Sequence, residues 1–147
     1  MTKRHKIFLD MIPPNGWGSN GNKVTTAGGH PRLIKGKNVR ETEHTLTQLL
    51  AMNRPADMME GPLSLRVTIV WPHNKSASKK VQAMPLVPKK TKPDGDNCLK
   101  SLKDVMQRLG FYKDDALIWR EAIRRFHGQK PGVYIDLETD TEEDFEL

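Results

Sequence analysis

The sequence predicts an α+β domain, a mixed β-sheet of about four to five strands with two helices. Three observations carry that prediction. LSLRVTIVW (63–71) is apolar and rich in β-branched residues, as a buried strand is. From Asn97 to Leu109 the apolar residues recur every three or four positions, as on a helix that covers a core. GVYIDLE (132–138), set off by Lys130-Pro131, reads as another strand.

The remaining elements follow in chain order. KIFLDMI (6–12) alternates loosely and is stopped by Pro13-Pro14, which gives a short strand and a turn. Residues 15–31 are rich in Gly, Asn and Pro and read as loop, with room for a small hairpin. VRETEHTLTQLLAM (39–52) has helical spacing and ends at Asn53-Arg54-Pro55. PHNKSASKKVQAMPLVPKKTKP (72–93) holds six lysines and no acid, and reads as an exposed, mobile loop. The Asn97–Leu109 helix closes at Gly110. ALIWREAIRRFH (116–127) suits helix by propensity, while its Ile-Trp and Ile-Arg-Arg-Phe portions suit a strand. Residues 1–137 are then one domain, and 138–147 an acidic tail expected to be disordered, or to shield a basic surface.

Charge narrows the partner. The chain carries 24 Lys and Arg against 18 Asp and Glu, a net +6. Seven of those acids lie between Asp136 and Leu147, where there is no Lys or Arg, so residues 1–135 hold a surplus of 13 positive charges. Such a surplus favours a polyanion, because each phosphate contacted releases condensed counterions. No apolar run is long enough to span a membrane, and no secretory leader is visible. The single cysteine, Cys98, forms no internal disulfide and fits a reducing cytoplasm. One cysteine and five scattered histidines exclude a zinc-ligand pattern. No small-molecule cofactor is expected.

Against this basic background five aspartates gather between Lys92 and Trp119. On a helical wheel Leu99, Leu102, Val105, Met106 and Leu109 form the buried stripe, while Asp96, Lys100 and Asp104 share a neighbouring face at i, i+4, i+8. Asp96 stands where an N-cap belongs, with Asp94 two residues before it. Asp114 and Asp115 follow the turn GFYK. If the next segment lies as a strand beside the helix start, one of that pair meets Asp94 and Asp96, and three carboxylates with open positions suit Mg²⁺ or Mn²⁺. Singly, each residue has an ordinary reading as a cap, an ion pair or a turn. A calcium loop is excluded, since its third ligand falls on Cys98 and its glycine on Leu99. An aspartate phosphotransferase is excluded too, because KKTKP is no apolar strand.

The same residues resemble the RusA-like Holliday-junction resolvases of bacteria and their phages. The pattern KPDxDNxxKxxxDxL, then an aromatic turn and a DD pair, stands here as Lys92-Pro93-Asp94-Gly95-Asp96-Asn97, Lys100, Asp104, Phe111-Tyr112 and Asp114-Asp115. The resemblance covers residues 63–138 most specifically. It implies metal-binding catalytic carboxylates at Asp94, Asp96 and Asp115, with Asp114 either a further ligand or a support outside the set. It implies an essential basic role for Lys100, and strand for residues 116–127. Gly95 replaces the bulky apolar residue often found between the first two aspartates, a change expected to affect loop stiffness and not the ligands.

By the resemblance the chain is a homodimer acting on branched DNA. The resemblance implies a Mg²⁺-dependent endonuclease, with Mn²⁺ able to substitute, that resolves four-way junctions by paired symmetric cuts leaving 5′-phosphates. Lys75, Lys79, Lys80, Lys89, Lys90 and Lys92 are the expected phosphate contacts. The alternatives are a broader flap or fork nuclease and a catalytically idle junction-binding protein. Trp17, Trp71 and Trp119 read as core or interface residues. His5, His30, His44, His73 and His127 show no partner at a telling spacing.

Overall fold

The computed structural model describes residues 3–17, 23–25, 29, 32–34 and 37–147; His30 and parts of the Gly-rich stretch lie outside them. In chain order the elements are β1 (Arg4–Leu9), β2 (Lys23–Thr25), β3 (Arg32–Ile34), α1 (Lys37–Ala51), β4 (Leu63–Pro72), α2 (Lys79–Gln82), β5 (Leu86–Pro88), α3 (Gly95–Arg108), β6 (Ile118–Gly128) and β7 (Gly132–Thr139). Single 3₁₀ turns cover Asp115–Leu117 and Glu142–Asp144.

Five strands form one mixed sheet in the order β1-β7-β4-β6-β5, and β2 pairs with β3 as a separate hairpin. Only β4 and β6 are parallel within the larger sheet. A parallel pair needs a crossover, and the chain between β4 and β6 supplies it with α3. The ambiguous segment 116–127 is therefore strand for most of its length. A helix there would leave β4 without one of its two neighbours.

One core joins the inner face of the sheet to α1 and α3. Leu46 and Leu50 of α1 and Leu99, Leu102, Val105 and Met106 of α3 meet Leu65, Val67 and Ile69 of β4. Each such side chain contributes about 1.5–3 kcal/mol on burial. The expected α3 stripe is buried as read, with Leu109 half-buried at its end and Cys98 inside. Gly110, at φ +79°, closes the helix: its amide bonds the Gln107 carbonyl and the Phe111 amide bonds that of Met106, both at 3.0 Å. Trp17 and Trp71 are core, and the Trp71 indole donates to the Pro14 carbonyl at 3.3 Å.

Three expectations are corrected. The stretch 72–93 is not all loop, since it contains α2 and the edge strand β5, which pairs with β6. Gly128 allows that pairing, because a Cβ there would stand 2.5 Å from the Pro85 carbonyl oxygen. The helix is capped at Asp94, not Asp96. And residues 138–147 are not a disordered tail over their whole length. β7 continues to Thr139, and the buried Asp140 carboxylate accepts from the Ser64 hydroxyl, the Trp119 indole (2.7 Å) and Arg120 (3.2 Å). Phe145 then packs edge-on to Trp119 at 5.2 Å. Among the described residues no helix is long and apolar enough to cross a membrane.

Candidate active site

Asp94 holds the N-cap position of α3 in extended backbone, yet its side chain makes no capping bond. Its carboxylate is left free for another partner. Asp96 lies in the first turn, with Lys100 one turn on and Asp104 a further turn on, and all four side chains are exposed. The buried side of the same helix fixes their direction, because the Leu99–Met106 stripe faces the sheet.

What seats the start of α3 is a residue that motif spacing did not single out. Arg125 of β6 donates from Nη1 to the carbonyls of Thr91 and Pro93, each at 2.8 Å. Two backbone acceptors immediately before Asp94 are thereby tied to the sheet. Gly95 completes the contact: a Cβ there would stand 3.0 Å from the Ile123 Cγ2 atom. A larger residue here would fit only if the Ile123 side chain gave way, so the glycine lets the helix start lie close against β6. Burial pushes the Cys98 thiol up to about 11; Arg125 opposes that shift, and Asp94 adds to it. The signal for Arg125 in the sequence was its place among the inward positions of β6, between Ile123 and His127, where a charge needs a reason.

The second acidic pair sits at the other end of the helix. The Asp115 amide bonds the Gln107 Oε1 atom at 2.9 Å, and its exposed carboxylate accepts no hydrogen bond from any described residue. Asp114 differs: its Oδ1 accepts from the Ala116 amide at 2.9 Å and shapes the 3₁₀ turn. Nearby, Tyr112 donates to the Lys103 carbonyl at 2.7 Å, and Lys103 reaches Glu121 at 2.9 Å. Burial, then the charges of Asp115, Asp104 and Glu121, pushes the Tyr112 phenol far up.

These contacts set two acidic groups along α3. Asp94 and Asp96 are at its start, beside Arg125; Asp104, Asp115 and Glu121 lie toward its end, each close enough to Tyr112 to act on its phenol. From Asp96 to Gln107 the helix rises roughly 16 Å at about 1.5 Å per residue. The expected convergence of Asp115 on Asp94 and Asp96 is not present within one chain. β6 does lie beside α3, but it runs antiparallel to it, so its beginning meets the helix end. Among the described residues no three His, Cys, Asp or Glu are grouped to hold a metal ion. Asp94, Asp96 and Asp115 nevertheless offer hard, exposed carboxylate oxygens with no partner among the described residues, the kind Mg²⁺ prefers.

Of the expected phosphate contacts, Lys75, Lys79, Lys80, Lys90 and Lys92 are exposed. Lys89 departs from its loop reading: it is 8% exposed, its ammonium lies 5.1 Å from the Trp71 ring centre, and it donates to Thr91 at 3.2 Å. Burial first and Arg125 second lower its pKa. Lys89 supports the approach to α3 from inside.

The sequence profile of the family described as endodeoxyribonuclease RusA matches residues 13–138. The chain belongs to the RusA endodeoxyribonuclease family. It is 34% identical over 90 residues to the uncharacterized protein YqaN of Bacillus subtilis (strain 168), covering 58% of this chain and 63% of that protein, which is less than two thirds of its length. It is 26% identical over 95 residues to a crossover junction endodeoxyribonuclease rusA of Lactococcus phage r1t, covering 64% of this chain and 69% of the phage protein. The RusA match takes in every element from β2 to β6, β7 as far as Glu138, and both acidic groups of α3.

Proposed function

We propose that this chain is a metal-dependent, structure-selective DNA endonuclease that resolves four-way junctions by paired symmetric hydrolysis, leaving 5′-phosphate ends. The family membership carries this reading, supported by the free Asp94 and Asp96 carboxylates at the α3 start. Asp94, Asp96 and Asp115 would hold Mg²⁺, or Mn²⁺ in its place. The bound ion would supply an activated water and neutralise charge on the phosphodiester. Lys100, one turn beyond Asp96, offsets charge building on the phosphate oxygens. Arg125 keeps the two N-terminal carboxylates in place, and Lys75, Lys79, Lys80, Lys90 and Lys92 hold the backbone near the site.

The reading includes a homodimer, for two reasons. Two symmetric cuts need two sites. And the separation along α3 is overcome if each metal site takes Asp94 and Asp96 from one protomer and Asp115 of the partner subunit. The deciding experiment incubates the protein with end-labelled four-way junction and with matched linear duplex, in Mg²⁺, in Mn²⁺ and in chelator. Paired nicks confined to the junction and abolished by chelation are expected. Equal cutting of flaps and forks would favour a broader nuclease, and binding without cleavage in either metal would refute catalysis.

A further inference from the structure

The core and both long helices use one face of the five-stranded sheet, and the opposite face is laid out in rows across the strands. Pairing places Phe8, Tyr134, Thr68 and Arg124 in one row, and Lys6, Asp136, Arg66 and Ala122 in the next. Arg4, Lys6, Arg66, Arg124 and Lys130 are exposed. Arg4 and Arg66 are held by Asp136, at 2.6 and 3.2 Å. Among the described residues, Arg124 and Lys130 are in no ion pair, while Lys6, opposite Asp136 across the strands, acts on that carboxylate.

The heads of Arg124 and Lys130 are seated by neutral groups. Arg124 donates to the Thr68 hydroxyl at 3.0 Å and lies 5.6 Å from the Phe126 ring centre. Lys130 lies 5.0 Å from the Phe8 ring centre. Both flank an open cavity of about 420 Å³ whose lining includes Val70, Leu86 and Tyr134. Gln129 binds the rim to α2 by donating to the carbonyls of Gln82 and Ala83, at 3.3 and 3.0 Å. The basic band thus runs from Lys79 and Lys80 past Lys130 and Arg124 toward Lys6.

We propose that this outer sheet face is a second DNA contact, which grips the phosphate backbone of a duplex arm through Arg124, Lys130 and Lys6. The inference rests on the nuclease reading and adds a surface separate from the α3 carboxylates. Charge selects the occupant: Arg124 and Lys130, seated without acidic partners, attract a polyanion, and a second copy seated face to face would set this basic excess against itself. Spacing agrees. β6 and β1 are three strand intervals apart, roughly 14 Å, close to the ~12 Å width of a duplex major groove. Cations on the two strands therefore reach phosphates on both sides of one groove. The rings beneath hold the cations at the surface without neutralising them.

The test measures anisotropy of labelled four-way junction in chelator between 50 and 200 mM salt, for the unsubstituted chain, for Arg124→Gln combined with Lys130→Gln, and for Arg124→Lys. Two lost phosphate contacts should flatten the log–log salt slope by about 1.8 and weaken binding roughly ten-fold near physiological salt. Arg124→Lys keeps the charge while losing the fork on Thr68, so its slope should be unchanged. An unaltered slope and affinity in the double variant, with its melting curve intact, overturns the proposal. So does a change of oligomeric state with the slope preserved, which would assign the face to a second copy. No DNA binding by the unsubstituted chain would instead bring down the nuclease reading and this contact together.

Discussion

The Arg125 guanidinium donates to the Pro93 carbonyl at 2.8 Å and so joins β6 to the residue directly before Asp94. A cation on a strand thereby sets where a carboxylate on the next layer begins. Replacing Arg125 by Leu keeps bulk but leaves the Thr91 and Pro93 carbonyls without their donor. The expected cost is about 1.5–3 kcal/mol of stability, read from denaturant midpoints. Junction cleavage should fall by more than junction affinity does, and a variant that cuts normally would remove Arg125 from the site.

Asp96→Asn should abolish cleavage while leaving junction affinity in chelator equal or higher, because a repelling charge is gone. The same holds for Asp94→Asn and Asp115→Asn. Mixing Asp96→Asn with Asp115→Asn protomers discriminates further. If metal sites form across a dimer, one site in each mixed dimer is intact and single nicks return. Sites confined to one chain would give no recovery on mixing.

Asp140→Ala removes the acceptor shared by Ser64, Trp119 and Arg120. Three donors then lose their partner under the end of the chain, at a cost of about 2–3 kcal/mol. Trp119 fluorescence should shift as Phe145 comes away from its ring. An unchanged melting temperature and spectrum would show that the C-terminal turn is not held by this carboxylate.

Gly128→Ala should loosen the edge of the sheet. The added methyl would meet the Pro85 carbonyl oxygen and the Val70 side chain, at 2.5 and 2.8 Å, so β5 has to move. Overpacking of this kind costs about 1–3 kcal/mol. Hydrogen exchange should rise at Leu86 and Pro88's neighbours before it rises in β4, and uniform protection would count against the contact.

Acid sensitivity has an identifiable contributor in Asp136. Its hydrogen bond from Arg4 holds the carboxyl below the usual aspartate range, against a smaller opposing effect of burial. A depressed native pKa means stability that is complete above the unfolded value of about 3.9 and is lost as pH falls through the native one. Asp136→Asn should therefore flatten the acid side of the stability curve, below about pH 5. An identical acid limb in the variant would assign that sensitivity elsewhere.

Much of this could be read in the residues, and what could not has physical reasons. The α3 stripe was legible because Leu99, Leu102 and Val105 repeat at helical spacing against a core. β4 and β7 were legible because burial on the sheet selects β-branched residues. β5 was not, since Leu86–Pro88 has little burial of its own and becomes strand only by pairing with β6. Lys89 reads like its neighbouring lysines because spacing alone does not distinguish a cation over Trp71 from one in water. The distance between Asp96 and Asp115 depends on which way β6 runs past α3, and that direction is a property of the sheet as a whole. Arg125 and Gln107 carry ordinary residue types at ordinary spacing, and only their acceptors reveal what they hold.

Every ladder of the larger sheet includes either β6 or β7. During synthesis, then, β1, β4 and β5 leave the ribosome without a partner strand anywhere in the nascent chain. The apolar side of β4 must wait at least until Ile118–Gly128 has emerged, with only local helices able to shelter it. Arrested chains ending before β6 would be clients for chaperones, and the sheet would assemble late and nearly all at once.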